Sequence, residues 1–147
     1  MLVDQIQIDL KTALKSGDTL SVSTLRMAVA ALRNRQIELQ KHEERLVLED
    51  QDTLAVLERE AKKRKEAATL YHQGNRSELA AQEEAELKVL QKYLPAALTD
   101  AELSAIIKEE VDRVGSEFAP LMKAVMARVK GRADGQTVQA KIRALGA

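Results

Sequence analysis

Apolar residues recur every three or four positions along almost the whole chain, and no run alternates at a period of two for long. That spacing commits the chain to helices, each with one stripe to bury. Val3, Ile6, Leu10, Ala13 and Leu14 form the first stripe, stopped by Gly17. Leu25, Ala28, Val29, Leu32 and Leu39 form the second, in a long helix from about Thr19 to His42. The pattern lapses over HEERLVLED and returns with Leu54, Leu57, Ala61, Ala68 and Tyr71, which Gly74-Asn75 should end as a C-terminal glycine does. Leu79, Leu87, Leu90 and Leu94 follow, and Pro95 closes them. Three shorter stripes complete the chain. Leu103, Ile106, Ile107, Val111 and Val114 follow a Thr99…Glu102 capping box; Leu121, Met122, Val125, Met126 and Val129 follow a Pro120 tolerated in the first turn; Val138, Ile142 and Leu145 come last. With one Phe, two Tyr and no Trp, the filling is aliphatic. The expected fold is all-α: a four-helix N-terminal lobe over residues 1–94 and a smaller three-helix C-terminal lobe over 95–147. The LPAAL stretch (94–98) is the natural hinge between them.

The same composition removes several kinds of chemistry. There is no cysteine, so disulfides, thiolate catalysis and Cys-bound metals are out. MLVDQIQIDLK has acids where a signal peptide needs bases, and no stretch approaches the ~18 apolar residues of a membrane span, so a cytoplasmic protein without a membrane partner is expected. The two histidines, His42 and His72, fall near helix C-termini, where an imidazolium complements the dipole. No HExxH, no phosphate-binding glycine loop and no nucleophile–base pair occurs, so no catalytic residue, metal or cofactor is expected. Glu83-Glu84-Ala85-Glu86 reads as a solvated helix face.

Net charge is zero, yet unevenly spread. Thr99 to Glu117 holds six acids against two bases, whereas Lys123, Arg128, Lys130, Arg132, Lys141 and Arg143 face only Asp134 beyond Ala119. Such a basic tail points weakly to an anionic partner. Two further basic groups, Arg26/Arg33/Arg35 and REAKKRKE (Arg59–Glu66), read chiefly as helix surface.

VKGRADGQ (129–136) is the densest point of the tail. Gly131 can take a left-handed cap, Arg128 and Lys130 can complement the end of the preceding helix, Asp134 can cap the next one, and Gly135 can permit close approach. Arg132 is left without a local partner, just ahead of a helix N-terminus whose free N–H groups favour anions. Two readings stay open: a helix–helix turn, or a cradle for phosphate.

Three blocks carry a resemblance over essentially the whole chain. STLRMAVAALRNRQIELQ (23–40), LEREAKKRKEAATLYHQGNRSELAAQEEAELKVLQKYLP (57–95) and MKAVMARVKGRADG (122–135) resemble the YqeY family, itself similar to the C-terminal tail of the B subunit of glutamine-dependent tRNA amidotransferases. Leu25-Arg26-Met27 matches the family's LRM, Tyr93-Leu94-Pro95 its YLP, and Lys130–Gly135 its KGRADG. Where the family tends to read MGKVMG, this chain has FAPLMK (118–123), with Pro120 at the usual basic position and Lys123 where glycine is common. The resemblance implies an all-helical two-lobe fold and a link to tRNA. It places Lys130, Gly131, Arg132 and Gly135 at a binding surface, with Lys123, Arg128, Lys141 and Arg143 adding longer-range attraction. The family's label, carbon–nitrogen ligase with glutamine as amido-N-donor, belongs to the full amidotransferase. The expectation here is therefore a non-catalytic tRNA- or RNA-interacting module, or an accessory factor to amidation. The alternatives are a protein-interaction adaptor and an amidotransferase subunit active only when assembled.

Overall fold

The computed structural model describes residues 1–45 and 47–146. Among these, the chain forms α1 (Leu2–Ser16), α2 (Thr19–His42), α3 (Asp50–Gln73), α4 (Ser77–Gln91), α5 (Asp100–Val114), α6 (Phe118–Val129) and α7 (Gly135–Leu145), with no strand. The all-α expectation holds. Contacts group the helices into two compact units, Met1–Leu94 and Pro95–Ala147.

Helix ends follow local chemistry. Gly17 ends α1 at φ 74°, and the Asp18 N–H returns to Ala13 O at 3.1 Å. The Asp18 carboxylate then caps α2, accepting from Ser21 N at 3.1 Å and Ser21 Oγ at 2.6 Å. At the end of α3 the expectation needs correcting. Gly74 keeps an ordinary φ of −87°, and it is Asn75 that turns left-handed at φ 57°. Arg76 N bonds Tyr71 O and Asn75 N bonds His72 O, which closes the helix with a Schellman pair around an asparagine. The lapsed segment before α3 is ordered by charge. Arg45 donates to Asp52 at 3.0 Å and to Glu43 at 3.2 Å, while Leu48 is buried. Leu46, within that segment, lies outside the described residues.

The first unit closes over Ile6, Leu25, Leu32, Leu39, Val56, Leu57 and Leu90, each no more than 5 % exposed. At about 25 cal/mol per Å² of apolar area removed from water, these aliphatics supply most of its cohesion. Three stripe residues are left largely exposed: Leu14, Leu79 and Leu145 at 49 %, 39 % and 62 %. Each lies within a turn or two of a helix end.

Charge also enters this core, against expectation. Arg64, in the middle of REAKKRKE, is 4 % exposed. Its guanidinium donates to Glu86 Oε2, to Glu60 Oε2 and to the Glu60 carbonyl, all at 3.1 Å, and reaches Met27 Sδ at 3.7 Å. One side chain thus joins α3 to α4 and touches α2. Glu86, expected on a solvated face, is the inter-helix half of that pair, and Glu84 of the same run meets His72 Nε2 at 2.8 Å. At the end of the unit, Tyr93 Oη donates to Asp9. Burial first, then the Asp9 bond, push its phenol well above the ordinary 10.

Arg64→Ala should lower the unfolding free energy by roughly 3 kcal/mol, because it strands Glu60 and Glu86 in a half-buried site. Arg64→Lys should recover less than half of that, since one ammonium cannot reproduce the guanidinium fork. Urea unfolding followed by circular dichroism measures both.

Candidate functional site

The C-terminal unit packs Leu103 and Ile107 of α5, Leu121, Val125 and Val129 of α6, and Val138 and Ile142 of α7. The capping box forms as expected: Glu102 N donates to Thr99 Oγ1 at 3.2 Å, and Thr99 N to Glu102 Oε2 at 3.0 Å. Gly115 closes α5 at φ 90°, and Pro120 sits in the first turn of α6.

In VKGRADGQ, Gly131 adopts φ 80° immediately after Lys130, and the N–H groups of Arg132 and Ala133 both return to Val129 O, at 2.8 and 3.1 Å. Asp134 caps α7: its Oδ1 accepts from Gln136 N at 2.7 Å and Thr137 N at 3.4 Å, while Oδ2 accepts from Thr137 Oγ1 at 3.0 Å. Two of the N–H groups that could have cradled a phosphate, those of Gln136 and Thr137, are thus already held by the protein's own carboxylate. Gly135 is not required by space, for a Cβ there would meet only Met126 Cε at an ordinary 3.9 Å.

Arg132 is not the leftover cation that the sequence suggests. Its Nε donates to Ala96 O at 3.1 Å, and its own carbonyl accepts from Leu98 N at 2.9 Å. The turn therefore fastens the stretch 96–98, and Leu98 packs on the core of this unit. The supposed hinge segment is bound at both of those residues.

The other predicted cations separate into two groups. Arg128 donates to Glu109 at 2.8 Å and to Glu110 at 3.2 Å. Lys141 meets Asp100 at 2.6 Å and Ser104 Oγ at 3.1 Å. The Arg143 guanidinium lies 5.4 Å from the centre of the Phe118 ring, close enough for a cation–π contact. Lys123 and Lys130 are exposed and have no ion pair among the described residues. Across residues 95–147 there are eight bases and seven acids, so the basic tail is answered by α5 within its own unit.

Sequence reasoning missed the centre of that neutralisation. Glu110 is 3 % exposed and accepts from Arg113 at 2.7 Å as well as from Arg128. The hydrogen bond from Arg113, joined by that from Arg128, holds its carboxyl below the ordinary 4.5. The clue was available in the Glu110–Arg113 spacing of three, but it resembles any surface pair.

Two outcomes test this geometry. A carboxyl held below its ordinary pKa stabilises the fold above that value, and the gain fades as the pH falls through the folded value. Thermal melts of Glu110→Gln should therefore show lower stability than wild type at neutral pH, and a smaller further loss on going from about pH 5 to about pH 3. Asp134→Ala should cost about 1 kcal/mol of stability by removing the α7 cap, read from the same melts.

Among the described residues, no group of three or more His, Asp or Glu side chains is arranged to hold a metal ion, and no helix is long and apolar enough to cross a membrane. No curated protein matches the sequence. The family model described as Yqey-like protein matches residues 3–145, nearly the entire chain. A match of that extent, on a chain of helices alone, makes this protein a member of the Yqey-like family.

Proposed function

We propose that the protein is a non-catalytic helical module that engages tRNA or a related RNA through its C-terminal unit, as an accessory to tRNA-dependent amidation. Membership of the Yqey-like family supports this reading, together with the resemblance to the tail of the amidotransferase B subunit that the sequence blocks carry. The observation that carries it is the pair Lys123 and Lys130. Lys123 stands on α6 and Lys130 directly after its last residue, seven positions on, both exposed and without an ion pair among the described residues. Arg132, also exposed, follows Lys130 across the left-handed Gly131.

In this mechanism the two lysines contact phosphates directly. Arg132 holds the turn in register through Ala96 and presents the rest of its guanidinium beside them. Gly131 lets the chain reverse next to the backbone of the ligand, while Gly135 opens α7. Arg128, Lys141 and Arg143 contribute to the longer-range field only in part, because their nearest partners lie within the unit. Sequence-independent phosphate contacts suit such a surface, since it offers no aromatic face for base stacking.

The double variant Lys123→Glu/Lys130→Glu should bind bulk tRNA at least tenfold more weakly at low salt. It should also lose up to about 0.9 log unit of salt dependence per lysine, with an unchanged melting temperature. Equal affinity for wild type and variant would remove the RNA reading from this surface. Adding the chain to amidotransferase subunits and following the conversion of Glu-tRNA to Gln-tRNA tests the accessory role, which an unchanged rate would sink.

A further inference from the structure

The C-terminal unit leaves an apolar groove open that its own helices do not fill. Ile107, Leu121 and Ile142 form the floor, each 4 % exposed or less, while Phe118 at 40 % and Leu145 at 62 % stand at the rim. Its volume of about 1120 Å³ exceeds the ~300–1,000 Å³ usual for small-molecule pockets. Every charged side chain lining it is a cation: Lys108 from α5, and Lys141 and Arg143 from α7. Lys108 has no ion pair among the described residues. Asp100, which pairs with Lys141, is not part of the lining and is itself 86 % exposed.

We propose that this groove docks an amphipathic helix from a protein partner, with its apolar stripe on the floor and carboxylates along its flanks. Helical walls offer no strand edge, so an extended peptide would leave its backbone N–H and C=O groups unsatisfied on an apolar floor. A helix brings those bonds with it and needs only i, i+3, i+4 and i+7 apolar anchors. The cations stand on both α5 and α7, and among the described residues no carboxylate side chain lines the groove beside them, so acidic flanks are favoured on both sides and basic ones are rejected. RNA fits poorly here. Phosphates would have to lose water over an apolar floor, and Phe118 is already covered by Arg143.

The probe is a fluorescein-labelled 18-residue peptide with leucines at helical spacing and glutamates on both flanks, titrated against the full chain. A second peptide carries lysine at every glutamate position. The glutamate peptide should bind, gain helicity, and bind at least tenfold more tightly than its lysine counterpart. Leu145→Glu, at an exposed position, should weaken it at least tenfold without lowering the melting temperature, and Lys108→Glu/Arg143→Glu should reverse the preference between the peptides. Equal binding of the two peptides would overturn the proposal, as would Leu145→Glu binding like wild type. Displacement of the peptide by laurate would assign the groove to a small amphiphile, displacement by bulk tRNA would assign it to RNA, and concentration-dependent dimerisation abolished by Leu145→Glu would assign it to a second copy. Each of these three also overturns it.

Discussion

The C-terminal unit is built around the charge of Glu110. A carboxylate that is 3 % exposed is tolerable only if cations reach it, and they arrive from two directions: Arg113 on the same helix and Arg128 on the next. That demand fixes α6 against α5 with a polarity that aliphatic contacts alone would not impose. It also decides what the unit presents to solvent. Arg128 and Lys141 are drawn into contacts with α5, so the outward positive field is left largely to Lys123, Lys130 and the exposed end of Arg132, and, beside the groove, to Lys108 and Arg143.

The first unit answers the same problem with the opposite sign. Its core is a set of leucines, valines and alanines with Ile6, where a swap that conserves volume costs little. Arg64 is not interchangeable with anything. A buried guanidinium without partners would cost several kcal/mol, so only arrangements that bring Glu60 and Glu86 to it are acceptable. Thr24 and Thr53, both fully buried, avoid that cost by turning their hydroxyls onto the carbonyls of Leu20 and Glu49.

Helices were legible in the sequence because their signals are local. The 3.6 period, Gly17, the Thr99–Glu102 box and Asp134 each act within four residues, and the structure places helix ends where those residues indicate. The candidate site was less legible because its decisive contacts are remote in sequence. Arg132 reaches back thirty-six residues to Ala96, and Arg128 eighteen residues to Glu110. No periodicity announces such a pair. Arg64 was hidden for a related reason: in a run of six charged residues and one alanine between Arg59 and Lys65, nothing local singles out the member that faces inward. The free valence assigned to Arg132 and the open N–H groups at α7 came from counting local donors, whereas the fold ties Arg132 Nε to Ala96 and gives the Gln136 and Thr137 N–H groups to Asp134.

Arg132 has one more implication, for how this turn would change over time. Its carbonyl and its Nε both hold the strand of chain at 96–98, and neither contact involves a ligand. Drift that abolished binding at the neighbouring lysines would leave this duty intact, so selection for a folded C-terminal unit would keep the arginine after the lysines had gone. Persistence of arginine at this position in relatives would therefore testify to architecture, while the fate of Lys123 and Lys130 would testify to a partner.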